Sequence, residues 1–401
     1  MRNWRKRPTP VGRRVLLLGD RPVVALAACR ALGRAGYEVG VTGSRALEVA
    51  GVSRHASRYH RIPPIDGVVD DWSAALRTLV DDEGYDVVVA TSDAGVARLL
   101  DLDLPVPTCP EISDRHLPLI DKGQLASLCA AASVDYPYTD RSRTPEQDEE
   151  VSRGIERATI VKAARSAVAT PDGLTLLPGA HLVQDYRTAS QALASIRRRG
   201  VDPVVQEYLE GEKLQAVIIR RRGSTTFRMA FRVRREFPPQ RGSETMLQRL
   251  HTSSGCGAEL TTMLERLADA AEFDGVLQAE FLRTARRRLC VIDVNPRLWG
   301  SLAFAELLGL RMTERVVRDA LRLDPAPVPD ETMARRYHHL VRELRWLGAR
   351  PRAIKDVLAT SSPRDVWDTP SLTDPLPELL RLARRLTRAN RQRSATGESG
   401  R

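Results

Sequence analysis

Residues 291–301 read VIDVNPRLWGS, a strand-forming apolar run broken by Asp293, Asn295, Pro296 and Arg297. Residues two apart on a strand share a face, so the pattern predicts Asp293 and Asn295 on one side, with Ile292 and Val294 toward the core. The preceding stretch VLQAEFL and the charged turn RTARRR complete a hairpin. With that turn centred on Arg286 and Arg287, Glu280 falls opposite Asp293. Two carboxylates and an amide oxygen on one sheet face repel unless a cation neutralises them. Hard oxygen donors in that number suit Mg²⁺, which keeps waters and phosphate oxygens as its remaining ligands. Arg297 follows the strand, where a planar cationic fork could hold a transferring phosphoryl group or a substrate carboxylate. The plainer alternative is a solvated hairpin face on which Asn295-Pro296 starts a turn.

Lysine is used sparingly, at Lys6, Lys122, Lys162, Lys213 and Lys355 among 62 basic residues. Lys162 lies in the apolar strand TIVKAA, where a buried amine is costly unless an anion meets it. A nucleotide phosphate is a natural partner; a lysine snorkelling from an edge strand is the alternative.

A chain of 401 residues predicts two or three domains. Its net charge of +11 is concentrated at the ends: residues 1–14 carry six basic side chains and no acid, and residues 380–401 carry seven Arg against Glu398. The body between them is close to neutral, so a nucleic-acid role would rest on the tails alone, and solvated disordered ends account for them as well. The five cysteines are scattered without a CxxC pair, which indicates neither a zinc site nor a disulfide framework and fits a reducing cytoplasm. The apolar run VLLLG before Asp20 is too short for the core of a signal peptide, and no stretch has the length of a membrane span.

From the start, RVLLLGD reads as a buried parallel strand, PVVALAACRALGRAG as a helix ended by Gly36, and YEVGVTGS and YDVVVATSD as further strands. This is a small doubly wound α/β unit over 15–110. Gly19-Asp20-Arg21-Pro22 stands where a dinucleotide site would show GxGxxG, and the bulky Arg and the Pro argue against a pyrophosphate there. Mixed β-rich structure follows. In ELTTMLERLADAAEFDG, residues Leu260, Met263, Leu264 and Leu267 have the spacing of one buried helix face. PAPVPD reads as a linker and RRYHHLVRELRWLG as a helix beyond it.

Taken together these segments resemble the ATP-grasp superfamily, in the order found there, over most of residues 15–325. IDVNPRLWGS is similar to the family's metal-binding signature, although Asp293 stands where Glu is usual. VVQEYLEGE is similar to the hinge that receives adenine and ribose, IVKAARS to the lid strand whose lysine reaches phosphates, and IDKGQLASL to an earlier helix whose lysine also contacts nucleotide. FRVRREFPPQRGSETM resembles a basic segment of the carboxylate-amine ligase subgroup. The lid segment ARSAVATPDGL has Gly173 alone where glycines are usually several.

The resemblance implies an α/β N-terminal (pre-ATP-grasp) domain at 15–110 and an α+β ATP-grasp domain at 111–325, with a β-rich lid at about 155–208. A small helical C-terminal extension at 326–380 and basic disordered tails at 1–14 and 381–401 complete the expected layout. By the same resemblance, Lys122 and Lys162 would contact phosphates, Glu207, Tyr208 and Leu209 would receive adenine, and Glu212 the ribose. Glu280, Asp293 and Asn295 would hold Mg²⁺, with Mn²⁺ as an alternative ion. Arg297 and Lys162 would be catalytic, and Arg232 and Arg234, sharing a face by the strand period, would meet the substrate. The activity implied is an ATP-dependent ligase that joins a small carboxylate to an amine through an acylphosphate, releasing ADP and phosphate in the cytoplasm. The rivals are a non-catalytic ATP-binding regulatory module and a carboxylase that activates bicarbonate. Neither a membrane nor a nucleic acid is an expected partner; a homodimer is compatible with the fold type.

Overall fold

The computed structural model of the protein describes residues 12–170, 173–177, 179–238, 243–326, 336–362 and 365–395. Most of the basic N-terminal segment, the linker after Ala326, the FPPQRGS loop from Pro239 to Gly242 and residues 396–401 lie outside the described residues.

The N-terminal unit is a five-stranded parallel sheet in the order Arg58–Arg61, Glu38–Gly43, Arg14–Leu18, Val87–Val89, Thr108–Cys109. Strand Arg14–Leu18 is central, and its four apolar residues are buried. That double-sided burial is why RVLLLGD reads as a continuous apolar run rather than an alternating one. Helix Pro22–Ala35 ends where Gly36 takes a left-handed φ of 90°, a conformation that costs a side chain and suits glycine. Strand Arg58–Arg61 has no counterpart in the sequence reading, because an exposed edge of RYHR carries no hydrophobic signal.

A second, four-stranded antiparallel sheet has the order Ala180–Val183, Thr159–Ala163, Pro203–Glu207, Thr139–Arg141, so it begins earlier than the expected lid boundary near 155. A hairpin of Ala167–Thr170 and Gly173–Leu176 projects from it. The hairpin rests on the N-terminal unit, where Ala167 and Leu174 pack with Ala94 and Ala97. Gly173 has a φ of 149°, and a Cβ there would stand 2.6 Å from the carbonyl oxygen of Asp66, so this one glycine is fixed by close approach.

The third sheet has seven strands, in the order Leu289–Asn295, Gly275–Arg283, Glu212–Arg221, Ser224–Phe237, Ser243–Leu250, Arg336–His339, Val366–Asp368. One face buries helix Gly255–Ala270 through Leu260, Met263, Leu264 and Leu267, the spacing that the sequence shows. The other face shares a continuous core with the N-terminal unit, in which Val24, Leu32 and Val41 meet Trp299, Leu302 and Phe304.

Two expectations for the C-terminal region are corrected. Residues 326–380 are not a purely helical appendage, since Arg336–His339 and Val366–Asp368 extend the large sheet. Residues 381–395 are not disordered; they belong to a 20-residue helix, Leu376–Ala395. Its arginines read as a solvated tail, yet Arg384 donates to Glu48 (3.0 Å), and Leu380 packs on the shared core. No helix among the described residues is long and apolar enough to cross a membrane.

The C-terminal helix is stapled to the first sheet by Asp374, which is 2% exposed. Its carboxylate accepts from Ser53 Oγ (2.7 Å), Arg54 N (2.9 Å) and Arg30 Nε (2.8 Å). Removing the carboxylate takes the acceptor from Ser53 Oγ, Arg54 N and Arg30 Nε at once, and leaves Arg30 only Glu378 (3.4 Å) and the Asp374 carbonyl (3.0 Å). Asp374→Ala is therefore expected to cost roughly 3 kcal/mol in urea unfolding, with faster proteolysis after residue 370. Unchanged stability would show that the C-terminal helix is held by its apolar contacts alone.

Candidate active site

Two adjoining cavities of about 640 and 750 Å³ meet at Lys213, Val233, Glu236 and Ile292. The larger is lined by residues 207–212 and by Ile160, Leu182 and Leu282. The smaller lies between the N-terminal unit and the hairpin, and is lined by Asp20, Arg21, Asp93, Lys122, Glu280, Asp293, Asn295 and Arg297.

The hairpin departs from simple alternation. Phe281 pairs with Val291 and Glu280 with Asp293, so Ile292 is the extra residue of a β-bulge. Val291 and Val294 enter the core, while Ile292 and Asp293, neighbours in sequence, both line the cavities. The expectation that Ile292 is a core residue is thereby corrected. The bulge keeps Asp293 opposite Glu280 and Asn295 opposite Gln278.

Among the described residues no donor reaches the Glu280 carboxylate within hydrogen-bonding distance. Its pKa is raised well above the usual carboxylate range, by burial and then by the carboxylates of Glu244 and Asp293. An acid group opposite another acid with nothing to accept from is what a cation site requires, and these two carboxylates fit a hard divalent ion. Asn295 is placed differently from the expectation. Its Oδ1 accepts from Arg297 Nη2 (2.6 Å), and its Nδ2 donates to Gln278 Oε1 (2.7 Å) and toward Asp293 Oδ2 (3.3 Å). In this arrangement it orients Arg297 instead of offering an oxygen to the cavity. No group of three or more His, Cys, Asp or Glu side chains suited to a metal occurs among the described residues, so a cation here would depend on waters or ligand oxygens.

Both lysines converge on Asp293. Asp121 caps helix Lys122–Ala131 by accepting from Gly123 N (3.0 Å) and Gln124 N (3.2 Å). This places Lys122 Nζ 3.9 Å from Asp293 Oδ1. Lys162 Nζ comes from strand Thr159–Ala163 and donates to the carbonyl of Ile292 (3.4 Å). Burial lowers its pKa to about 8, with Lys122 adding to the shift and Asp293 and Glu280 opposing it.

Arg297 is 4% exposed and already paired. Its Nε and Nη2 donate to the two oxygens of Asp93 at 2.5 and 3.0 Å, and Nη1 donates to the carbonyl of Leu298 (2.9 Å). Burial works against ionising Asp93, but Arg297 overcomes it and the Asp93 pKa falls below its ordinary value. The sequence reading singled out Arg297 and not Asp93. The available signal was its position: Ser92-Asp93 ends a parallel strand and starts a helix, where open α/β sheets gather functional groups. Asp20 ends the neighbouring strand and accepts from Ser92 and Thr91; burial nevertheless raises its pKa to about 6. Arg342 was also missed, because it reaches the smaller cavity from helix Leu340–Ala349, far along the chain from the other lining residues.

Arg232 and Arg234 do not share the predicted face. Val233 pairs with Leu247 and Arg235 with Met246, which leaves Arg234 as another bulge residue. Arg232 is held by Glu212 (2.7 Å) and lines neither cavity; Arg234 lines the larger one. Neither lines the cavity that holds Arg297.

No protein-family model and no curated protein matches the sequence. Solved structures do match in fold. An L-amino acid ligase from Bacillus licheniformis superposes with a TM-score of 0.60 at 14% identity, over 79% of this chain and 76% of that one. A carboxyaminoimidazole ribonucleotide synthase from Aspergillus clavatus, complexed with ATP, gives 0.60 at 14% identity over 79% and 78%. The biotin carboxylase domain of the Hydrogenobacter thermophilus 2-oxoglutarate carboxylase, with MgADP and bicarbonate, gives 0.58 at 13% identity over 79% and 71%. The chain has the ATP-grasp fold. The two cavities lie between the four-stranded sheet, the large sheet and the N-terminal unit.

The Asp20 shift carries a stability consequence. An acid with a pKa of about 6 when folded and 3.8 when exposed destabilises the fold progressively as pH rises from about 4 to 6, and fully above that. Asp20→Asn is expected to raise the melting temperature by a few degrees at pH 7.5, with the gain vanishing at pH 4. An equal gain at both values would refer the effect to packing.

Proposed function

We propose that the protein is an ATP-dependent ligase that joins a small-molecule carboxylate to an amine. The reading is carried by one observation: Lys162 on the larger cavity and Lys122, Glu280, Asp293 and Arg297 on the smaller one gather on either side of Ile292, where the two cavities adjoin. The larger cavity, with apolar walls and the hinge Glu207, Tyr208, Leu209 and Glu212, is the place for adenine and ribose. Lys122 and Lys162 face the phosphates. Three neighbours of the same fold are an amino acid ligase, a synthase solved with ATP and a carboxylase domain solved with MgADP, which supports nucleotide use.

In the first step a carboxylate oxygen attacks the γ-phosphorus, the bond to the bridging oxygen breaks, and ADP leaves. In the second the amine nitrogen attacks the acyl carbon, the bond to the phosphate oxygen breaks, and the nitrogen gives its proton to water or the departing phosphate. Phosphoryl transfer is promoted mainly by positioning and charge compensation. Lys162, buried on the lid, and Lys122, on its capped helix, fix the phosphates while the lid excludes water. Glu280 and Asp293 would hold Mg²⁺, which when bound neutralises phosphate charge; Mn²⁺ fits the same donors. Asn295 and Asp93 hold the Arg297 fork in one plane, so that one charge is aimed without reorganisation at the transferring group or the acyl oxygen. Asp293 is one methylene shorter than Glu, and the lid strand supplies few glycine amides, so the lysines carry more of the phosphate binding.

A panel of carboxylic acids and amines scored by ADP release tests this reading. A productive pair should lose at least roughly a hundredfold in turnover with Asp293→Ala, while ATP still raises the melting temperature in part. ATP binding without ADP release for any pair would favour a regulatory module; ADP release with bicarbonate and no amine would favour a carboxylase. Lys162→Met should weaken ADP binding roughly tenfold, the scale of one charge-assisted hydrogen bond. Since Lys162 loses its proton near pH 8 in the free protein, ADP affinity should fall above that pH in the native protein and stay flat in Lys162→Met.

A further inference from the structure

The N-terminal unit presents one cation to the smaller cavity that the proposed chemistry does not use. Arg21 lines the cavity beside Trp299, Gly300 and Ser301. Its Nη2 lies over Gly300, 3.2 Å from where a Cβ at that position would stand. Among the described residues its guanidinium makes no hydrogen bond and no ion pair within 4 Å.

The nearby acids are already committed. Asp93 holds Arg297, Asp20 accepts from Ser92 and Thr91, and Glu244 accepts from Gln215 (2.5 Å) with Arg342 3.9 Å away. The local charges are also unfavourable for a guanidinium. Arg21 is the residue before helix Pro22–Ala35, whose first turn carries no acid and whose start has no side-chain cap. A cation at the positive end of a helix, near the buried guanidinium of Arg297, is a repulsive arrangement. Burial and Arg297 both pull its pKa down, while Asp93, Asp20 and Glu244 oppose them. Such a site is relieved by an anion arriving from outside the chain. Arginine is suited to that role, because its fork meets carboxylate or phosphate oxygens in two parallel hydrogen bonds.

We propose that Arg21 is the receptor for a second anionic group, a carboxylate or a phosphate ester, carried by one of the two substrates apart from the reacting carboxylate. The word substrate rests on the ligase reading; the anion site itself does not. Arg21 is a binding and specificity residue, and it holds the ligand from the N-terminal wall while Arg297 and the lysines face the reacting end. Substrates with a neutral group in that place are discriminated against, because they leave the half-buried guanidinium unpaired. Gly300 belongs to the site, since a methyl group there would press on the guanidinium.

The test is a calorimetric titration of the full-length protein, saturated with MgADP, using inorganic phosphate in one arm and acetate in the other. Arg21→Gln should weaken the preferred anion roughly tenfold, Arg21→Lys should restore part of the affinity, and Gly300→Ala should weaken it to a smaller degree. ADP affinity should be unchanged in all three. The arm that responds identifies phosphate or carboxylate as the recognised group. Once a productive pair is known, replacing its second anionic group with an amide should raise KM in the native protein and have little effect in Arg21→Gln. Equal anion affinity in the native protein and in Arg21→Gln overturns the proposal, whether or not any pair releases ADP. If Arg21→Gln is too unstable to titrate, equal affinity in Gly300→Ala and Arg21→Lys overturns it in the same way.

Discussion

The ion pair between Arg297 and Asp93 joins the signature hairpin of the large sheet to the first helix turn beyond the central strands of the N-terminal unit. It is bidentate, and the guanidinium is almost fully buried, so breaking it would leave a charge without a partner at a cost of roughly 3–5 kcal/mol. The shape of the smaller cavity depends on this bond, because the N-terminal unit supplies one wall and the hairpin the other. A continuous apolar core from Val24 to Phe304 holds the two walls together behind it. Packing thus supplies the affinity between the parts, and the ion pair fixes their register at the cavity.

The β-bulge at Ile292 is the second constraint. Strict alternation would send one of every two residues into the core, and the hairpin needs two adjacent residues on the cavity side. Inserting one residue satisfies both demands: Val291 and Val294 stay buried, and Asp293 remains opposite Glu280. Two charges so close are not held together in the free protein: the raised pKa of Glu280 lets it keep its proton, and the neighbouring amines of Lys122 and Lys162 face Asp293. Conflict of this kind, confined to one small region, is where a ligand with complementary charge gains most.

Much of this was legible in the sequence. The buried strand at Leu16, the helix stop at Gly36 and the apolar stripe from Leu260 to Leu267 follow from periodicity, whereas the pairing of Glu280 with Asp293, expected from a turn centred on Arg286 and Arg287, is reached only through the bulge, since the register at Arg283 and Leu289 alone would set Glu280 opposite Ile292. The bulges at Ile292 and Arg234 were not legible, since one inserted residue leaves no mark in a hydrophobic pattern. Strands Arg336–His339 and Val366–Asp368 were hidden because they are short, and each is defined by a partner distant in sequence. Helix Leu376–Ala395 was masked by its arginines, whose partner Glu48 lies more than three hundred positions away. Asp93, Arg21 and Arg342 were missed for the same reason: tertiary structure, and not spacing along the chain, brings them to the cavity.

The proposed chemistry requires Glu280 and Asp293 to hold a divalent ion next to nucleotide phosphates. Mn²⁺ is the direct probe, since its electron paramagnetic resonance signal distinguishes free from bound ion. With ADP present, the native protein should bind Mn²⁺ tightly at one site per chain, and Glu280→Gln and Asp293→Ala should each abolish that site while ADP itself still binds. Mn²⁺ binding of equal strength in the native protein and both variants would contradict the account.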